Sequence, residues 1–113
     1  MNDTLKVLET RRSCRNFDPA KPVSDEAVQA IVKAGTYAPT GRGLQSPIII
    51  AVSNKKLRDE ISAENARIMG VDCDPFYGAP VILIVLADKD IPTYIYDGTL
   101  VMGNLLKIGR AHV

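Results

Sequence analysis

Between Arg11 and Phe17 the chain reads Arg-Arg-Ser-Cys-Arg-Asn-Phe, which places three guanidiniums and a hydroxyl in one short stretch. These groups suit a phosphate, because arginine donates two parallel hydrogen bonds in a fixed fork and a serine adds another. Each charge-assisted bond contributes about 1.5–3 kcal/mol net, so two or three support binding of a phosphorylated group at about the micromolar level. Taken alone, the segment is better explained as a solvated basic knot or a nucleic-acid contact. A second stretch, Pro39-Thr40-Gly41-Arg42-Gly43-Leu44-Gln45-Ser46-Pro47, is a loop by composition. Its Gly41 and Gly43 permit positive φ or close approach of the backbone to a ligand. The single histidine is His112, one residue from the end, so neither a Ser-His-Asp triad nor a histidine-rich metal site can be assembled. Any chemistry falls to a cofactor, or to carboxylates, cysteine or tyrosine.

The elements that must position these residues follow from capping and periodicity. Asp3 is expected to cap a short helix carrying Leu5 and Leu8, which ends where the arginines begin. Pro19 and Pro22 then keep the chain extended. Ser24 is a good N-cap, Asp25 and Glu26 complement the helix dipole, and Ala27, Val28, Ile31 and Val32 form an apolar stripe that Gly35 should stop. Residues 48–52, Ile-Ile-Ile-Ala-Val, read as a strand apolar on both faces and therefore internal. A helix from Lys55 to Met69 carries Leu57, Ile61 and Ile68 and ends at Gly70. A loop rich in aspartate, glycine and proline leads to a second buried strand over 81–87. A last helix begins near Thr93, and its Gly98 and Gly103 suggest close packing against another element. Two strands do not complete a sheet, since sheets hold about four to six.

Composition narrows the class. The chain has 113 residues, 46% hydrophobic and 24% charged, as in a single globular domain. A net charge of +1 argues against a general nucleic-acid binder and makes the arginine cluster a local device. No apolar run approaches a membrane span. Cys14 and Cys73 form no CxxC pair and suit a reducing, cytoplasmic setting.

The arginine cluster after a short helix, then Lys21-Pro22-Val23 before a capped helix, then Ala38-Pro39-Thr40 and the glycine loop ending in Gln45, resembles the nitroreductase family. The resemblance continues through Gly78-Ala79-Pro80 into the second strand, and on to Asp97, Asn104 and Leu105. It implies an α+β fold, a mainly antiparallel sheet flanked by helices, in a homodimer with FMN at the interface. It also implies an FMN-dependent oxidoreductase, with NADH or NADPH as hydride donor and a nitroaromatic, quinone or similar small molecule as acceptor. On that resemblance Arg11, Ser13 and Arg15 contact the FMN phosphate and ribityl chain with Arg12 beside them. Pro39, Thr40, Gly41 and Gly43 run along the flavin, and Gln45 lies near its ring. No side chain is catalytic, because the flavin accepts hydride at N5 and the protein supplies binding, orientation and electrostatics. Many members carry asparagine where this chain has Gly43, and proline and tryptophan where it has Ser46 and Pro47.

Other readings stand beside these. A specialised flavin-consuming or dehalogenating enzyme shares the fold, and a non-catalytic phosphate- or nucleic-acid-binding module is the alternative of another class. Cys14 is a small packed residue or an activated thiol; Asp72 and Asp74 are turn formers before they are metal ligands. Tyr94 and Tyr96 are packing residues or border the pocket, and Arg42 is solvated or meets the nicotinamide cofactor. Residues 1–106 are expected to be the N-terminal part of one nitroreductase-like domain, and 107–113 a non-native tail. Ile108 to Val113 can be back-translated as ATC-GGA-AGA-GCA-CAC-GTC, a common sequencing-library adapter, and they leave the preceding helix pattern. The 113-residue chain by itself should then bind FMN poorly and turn over little.

Overall fold

Two apolar pentapeptides organise the molecule. In the computed structural model, which describes residues 2–18 and 20–111, β1 (Ile48–Val52) pairs antiparallel with β2 (Ile82–Leu86) in a two-stranded sheet. The register sets Ile48 opposite Leu86, Ile50 opposite Ile84 and Val52 opposite Ile82. Because side chains alternate across a strand, these pairs share one face, and Ile49, Val85, Ala51 and Leu83 share the other.

The second face packs on helices. Ile49, Leu83 and Val85 lie against a core of Ala38, Val101 and Leu105, joined by Ile31. Ile31 belongs to α2 (Asp25–Thr36), and Val101 and Leu105 belong to α4 (Tyr94–Ala111), which pack against each other as well as on the sheet. The first face is only partly covered. Val52 and Ile82 are buried at one end, but Ile48, Ile50 and Leu86 are exposed at the other. The strands are therefore not internal on both faces, as their composition suggested; within this chain one face packs on the α2–α4 core through Ile49, Leu83 and Val85, with Ala51 exposed beside them.

Local signals account for the helix ends. Ser24 caps α2 by accepting from Ala27 N, and Asn54 caps α3 (Lys55–Met69) by accepting from Leu57 N. Gly70 closes α3 in the left-handed region at φ 71°. In α1 (Asp3–Thr10) the cap is Asn2, whose carboxamide accepts from Leu5 N, and Asp3 stands one position on as a first-turn charge. The cap was expected at Asp3; either acceptor suits the position, and only the backbone selects between them.

Gly35 does not stop α2, which runs through it to a C-cap at Tyr37. Gly35 is buried, and a Cβ there would stand 2.7 Å from Leu105 Cδ2 and 2.8 Å from Ile49 Cδ1. The residue is a notch that lets α4 and β1 close on α2. Gly98 behaves as expected and lies against Ala87 and Val85 of the second-strand region, at 3.5 and 3.9 Å from a built Cβ. Gly103 meets nothing within 4 Å, so no close contact explains it. The last helix continues without a break past residue 106 to Ala111, where the sequence pattern was expected to leave the helix. Pro19, and His112 and Val113 of the expected tail, lie outside the described residues.

Candidate functional site

The loop between α2 and β1 forms one side of a cleft of about 350 Å³. Thr40, Gln45 and Pro47 line it from the loop, Val32 and Thr36 from α2, and Val101 from α4. Small-molecule sites occupy about 300–1,000 Å³, so the cleft lies at the small end of that range.

Within the loop, Gly41–Gly43 form a single 3₁₀ turn with unusual backbone. Arg42, Gly43 and Gln45 all have positive φ, at 56°, 65° and 50°. For the two non-glycine residues such geometry costs about 1–3 kcal/mol each and persists only where the surroundings hold it. Three local bonds hold the loop: Gly43 N donates to Thr40 O, Leu44 N to Gly41 O, and Gln45 N to Thr40 Oγ1. A fourth comes from far along the chain, as Gly41 N donates to Asp97 Oδ1 at 2.9 Å. Asp97 is 2% exposed, and its second oxygen accepts from Thr93 Oγ1 at 2.8 Å. A Cβ at Gly41 would stand 2.3 Å from Thr93 Oγ1, so close approach of the loop to α4 requires glycine there. At Gly43, in contrast, a Cβ would meet open space, and its positive φ is the requirement. The hydroxyl of Ser46 is buried with no partner among the described residues.

The arginine cluster lies in extended chain between α1 and α2. Arg11 is half-buried at the end of α1, where its N–H donates to Val7 O. Arg12 turns back, donating to Glu9 O and Arg11 O, while Ser13 and Arg15 are exposed. Among the described residues neither Arg11 nor Arg15 forms an ion pair. The structure thus gathers Thr40 and Gln45 at one cleft and anchors Gly41 behind them. Pro39 and Gly43 lie on the exposed parts of the same loop. No hydrogen bond or ion pair among the described residues joins the arginines to it.

The remaining candidates sort themselves by contact. Cys14 is exposed and donates its Sγ–H to Asn16 O, and Cys73 is exposed and free. Tyr94 is half-buried, Tyr96 is exposed, and Arg42 projects from the loop into solvent. No group of three metal-ligating side chains occurs among the described residues. Asp74 does more than form a turn. Its carboxylate accepts from Phe76 N and Gly78 N, as a turn former does, but also from Ser62 Oγ and Arg58 Nη2. Burial pushes its pKa up, yet the hydrogen bonds from Ser62, Arg58 and the two amides outweigh burial and hold it far below the ordinary carboxylate range. Arg58 is buried on α3 and also donates to Ala79 O, so the hub ties α3 to the loop that enters β2.

Sequence reasoning did not foresee two of these anchors, Asp97 with Thr93 and Arg58 with Asp74. The first left a signal, a threonine before a helix with an aspartate one turn on. The second left none, since its partners are separated by 16 residues of helix and loop.

Residues 8–69 match the model of the nitroreductase family. A Staphylococcus epidermidis protein named "Putative NAD(P)H nitroreductase" is 34% identical over 64 residues, 56% of this chain and 29% of that one. A Haemophilus influenzae protein of the same name is 32% identical over 57 residues, 26% of its length. Among solved structures, a nitroreductase with bound FMN from Desulfitobacterium hafniense superposes with a TM-score of 0.85 at 31% identity, covering 99% of this chain and 66% of that chain. Another with bound FMN, from Bacteroides fragilis, superposes with a TM-score of 0.89, and at 23% identity that likeness speaks for the fold. The chain thus spans less than two thirds of these solved chains, and its matched segment less than a third of the curated relatives. The α+β architecture of helices around a small antiparallel sheet is the nitroreductase fold. With its family match running from the end of α1 through α3, over more than half of its residues, the chain belongs to the nitroreductase family.

Proposed function

We propose that this chain is the N-terminal part of an FMN-dependent oxidoreductase. It would take hydride from NADH or NADPH and deliver it to a nitroaromatic, a quinone or a similar small acceptor. The observation that carries this reading is the turn over 41–45, with positive φ at 42, 43 and 45, anchored to a buried carboxyl group beside the cleft that Thr40 and Gln45 line, inside the family-matched segment. Relatives named as NAD(P)H nitroreductases and FMN-bound structures of the same fold support it.

The residues present fit the flavin mononucleotide. Arg11 and Arg15 carry guanidiniums without carboxylate partners among the described residues, and a dianionic phosphate suits them. Ser13 is exposed between them, and Arg12 can leave its backbone contacts at little cost because both are at the surface. The unpartnered Ser46 hydroxyl and the open space at Gly43 leave donors and room where a ring and its ribityl chain would lie. When bound, FMN supplies the hydride chemistry that no side chain here can perform. The protein's part is to grip the phosphate through Arg11, Arg12, Ser13 and Arg15, and to lay Pro39, Thr40, Gly41, Gly43 and Gln45 along the ring. A homodimer with the flavin at its interface would bring the arginine cluster and the loop to one ligand, which the contacts within this chain do not do.

The absorbance spectrum of the longer protein that contains this chain tests the reading. A flavin band bleached by NADH or NADPH is the expected result. A flavin band that does not bleach favours a specialised flavin-consuming or dehalogenating member, and absence of flavin favours a phosphate-binding module. The 113-residue chain alone is expected to give little steady turnover; stoichiometric flavin with steady NADH oxidation would overturn that part.

A further inference from the structure

Asp97 stands apart from every other acidic residue of the chain. It is 2% exposed, and among the described residues no lysine or arginine pairs with it. A buried carboxyl group needs hydrogen-bond partners for its oxygens. Asp97 has one for each: it lies in the first turn of α4, and its two oxygens accept from Thr93 Oγ1 and from Gly41 N. The second bond reaches across 56 residues to the loop that lines the cleft.

The loop has a reason to need it. Arg42 and Gln45 both occupy left-handed backbone with full side chains, and Gly43 lies between them. Local hydrogen bonds from Gly43 N and Gln45 N end on Thr40 and that from Leu44 N ends on Gly41, so they fold the turn without tying it to the rest of the protein. Among the hydrogen bonds of the described residues, Gly41 N to Asp97 is the one that joins residues 40–45 to a packed helix. Thr93 reinforces it sterically, since its side chain fills the space a Cβ at 41 would need.

We infer that Asp97 and Thr93 are a positioning pair, locking the turn 41–45 so that Gln45 and Thr40 face the cleft in one geometry. The inference rests on the flavin reading of that cleft for its consequence, though not for the lock itself. Neither residue lines the cleft; both act through the Gly41 amide. The pair therefore sets how well the cleft accepts its ligand without contributing a contact to it.

The test uses Thr93→Val, which keeps shape and removes the hydroxyl, Thr93→Ser, which restores it, and Asp97→Asn, which keeps an acceptor for Gly41. Amide exchange followed by NMR reads the lock, and an FMN titration of the longer protein that contains this chain, carrying the same substitutions, reads its consequence. Far-ultraviolet circular dichroism accompanies both, to show that the helices persist. Expected are protection of the Gly41 amide in the parent chain, faster exchange confined to 41–45 in Thr93→Val, and recovery in Thr93→Ser. FMN affinity in Thr93→Val should fall about tenfold, as for loss of one hydrogen bond. Asp97→Asn should fall between Thr93→Val and the parent. Unchanged exchange at Gly41 in Thr93→Val overturns the lock, and lost protection with unchanged FMN affinity overturns its role in the site. If the longer protein that contains this chain binds no FMN, the flavin reading fails; exchange that is altered only in 41–45 still supports the lock, and unaltered exchange overturns it.

Discussion

At the scale of single residues, the strongest electrostatic device is the Asp74 carboxylate, which gathers Ser62, Arg58 and two backbone amides around itself. Its partner Arg58 is buried and also contacts Asp59, an exposed residue that cannot replace Asp74. Asp74→Asn is expected to destabilise the chain by about 1–3 kcal/mol, because it removes the charge while leaving a buried guanidinium. Urea unfolding at neutral pH would measure this. The acid dependence has a definite sign. The folded pKa of Asp74 is depressed below its unfolded value of about 3.9, so the stabilisation is fully present above that pH. It is lost progressively as the pH falls below about 4 toward the folded value, where the unfolded chain takes up the proton first. The stability gap between parent and Asp74→Asn should therefore shrink between about pH 4 and pH 2.5; a gap that stays constant would remove the charge from the explanation.

At the scale of elements, α2 shows how one residue can be misread when its neighbours are unknown. Glycine after an apolar stripe is an ordinary stop signal. Here Gly35 continues the helix because Leu105 and Ile49 occupy the space a side chain would take. Gly35→Ala would gain about 1 kcal/mol of helix propensity and lose about 1–3 kcal/mol to overpacking. A net loss of stability is expected, read as a lower urea midpoint with an unchanged slope; a raised midpoint would show that Leu105 and Ile49 yield easily. The cap at Ser24, the cap at Asn54 and the left-handed close at Gly70 involve no such conflict, and their helices begin and end where local chemistry requires.

At the scale of the whole molecule, the sheet has one covered face and one that is partly bare. Ile48, Ile50 and Leu86 form a contiguous exposed patch across the two strands, and each strand has one edge without a partner among the described residues. Open edges beside apolar surface promote association. The 113-residue chain is expected to self-associate as concentration rises, and Ile50→Lys to reduce this in sedimentation or light scattering. Unaltered association in Ile50→Lys would place the contact elsewhere. None of the helices described is long and apolar enough to cross a membrane.

What the amino-acid sequence by itself determined was whatever a few neighbouring residues decide. The cap at Ser24, the end at Gly70, the two apolar strands and the span of α3 were legible because each depends on groups within one or two turns. The family was legible for a related reason: the order of the Arg11–Arg15 cluster, the Pro39–Pro47 loop and the Gly78-Ala79-Pro80 entry is itself linear information. The tertiary structure decided what depends on distance through space. It set the covered face of β1, made Gly35 a notch, drew Asp74 to Arg58, and tied Gly41 to Asp97 across 56 residues. Such choices are made by packing, where a side chain's partner is fixed by the meeting of separate elements, and no local pattern records which elements will meet.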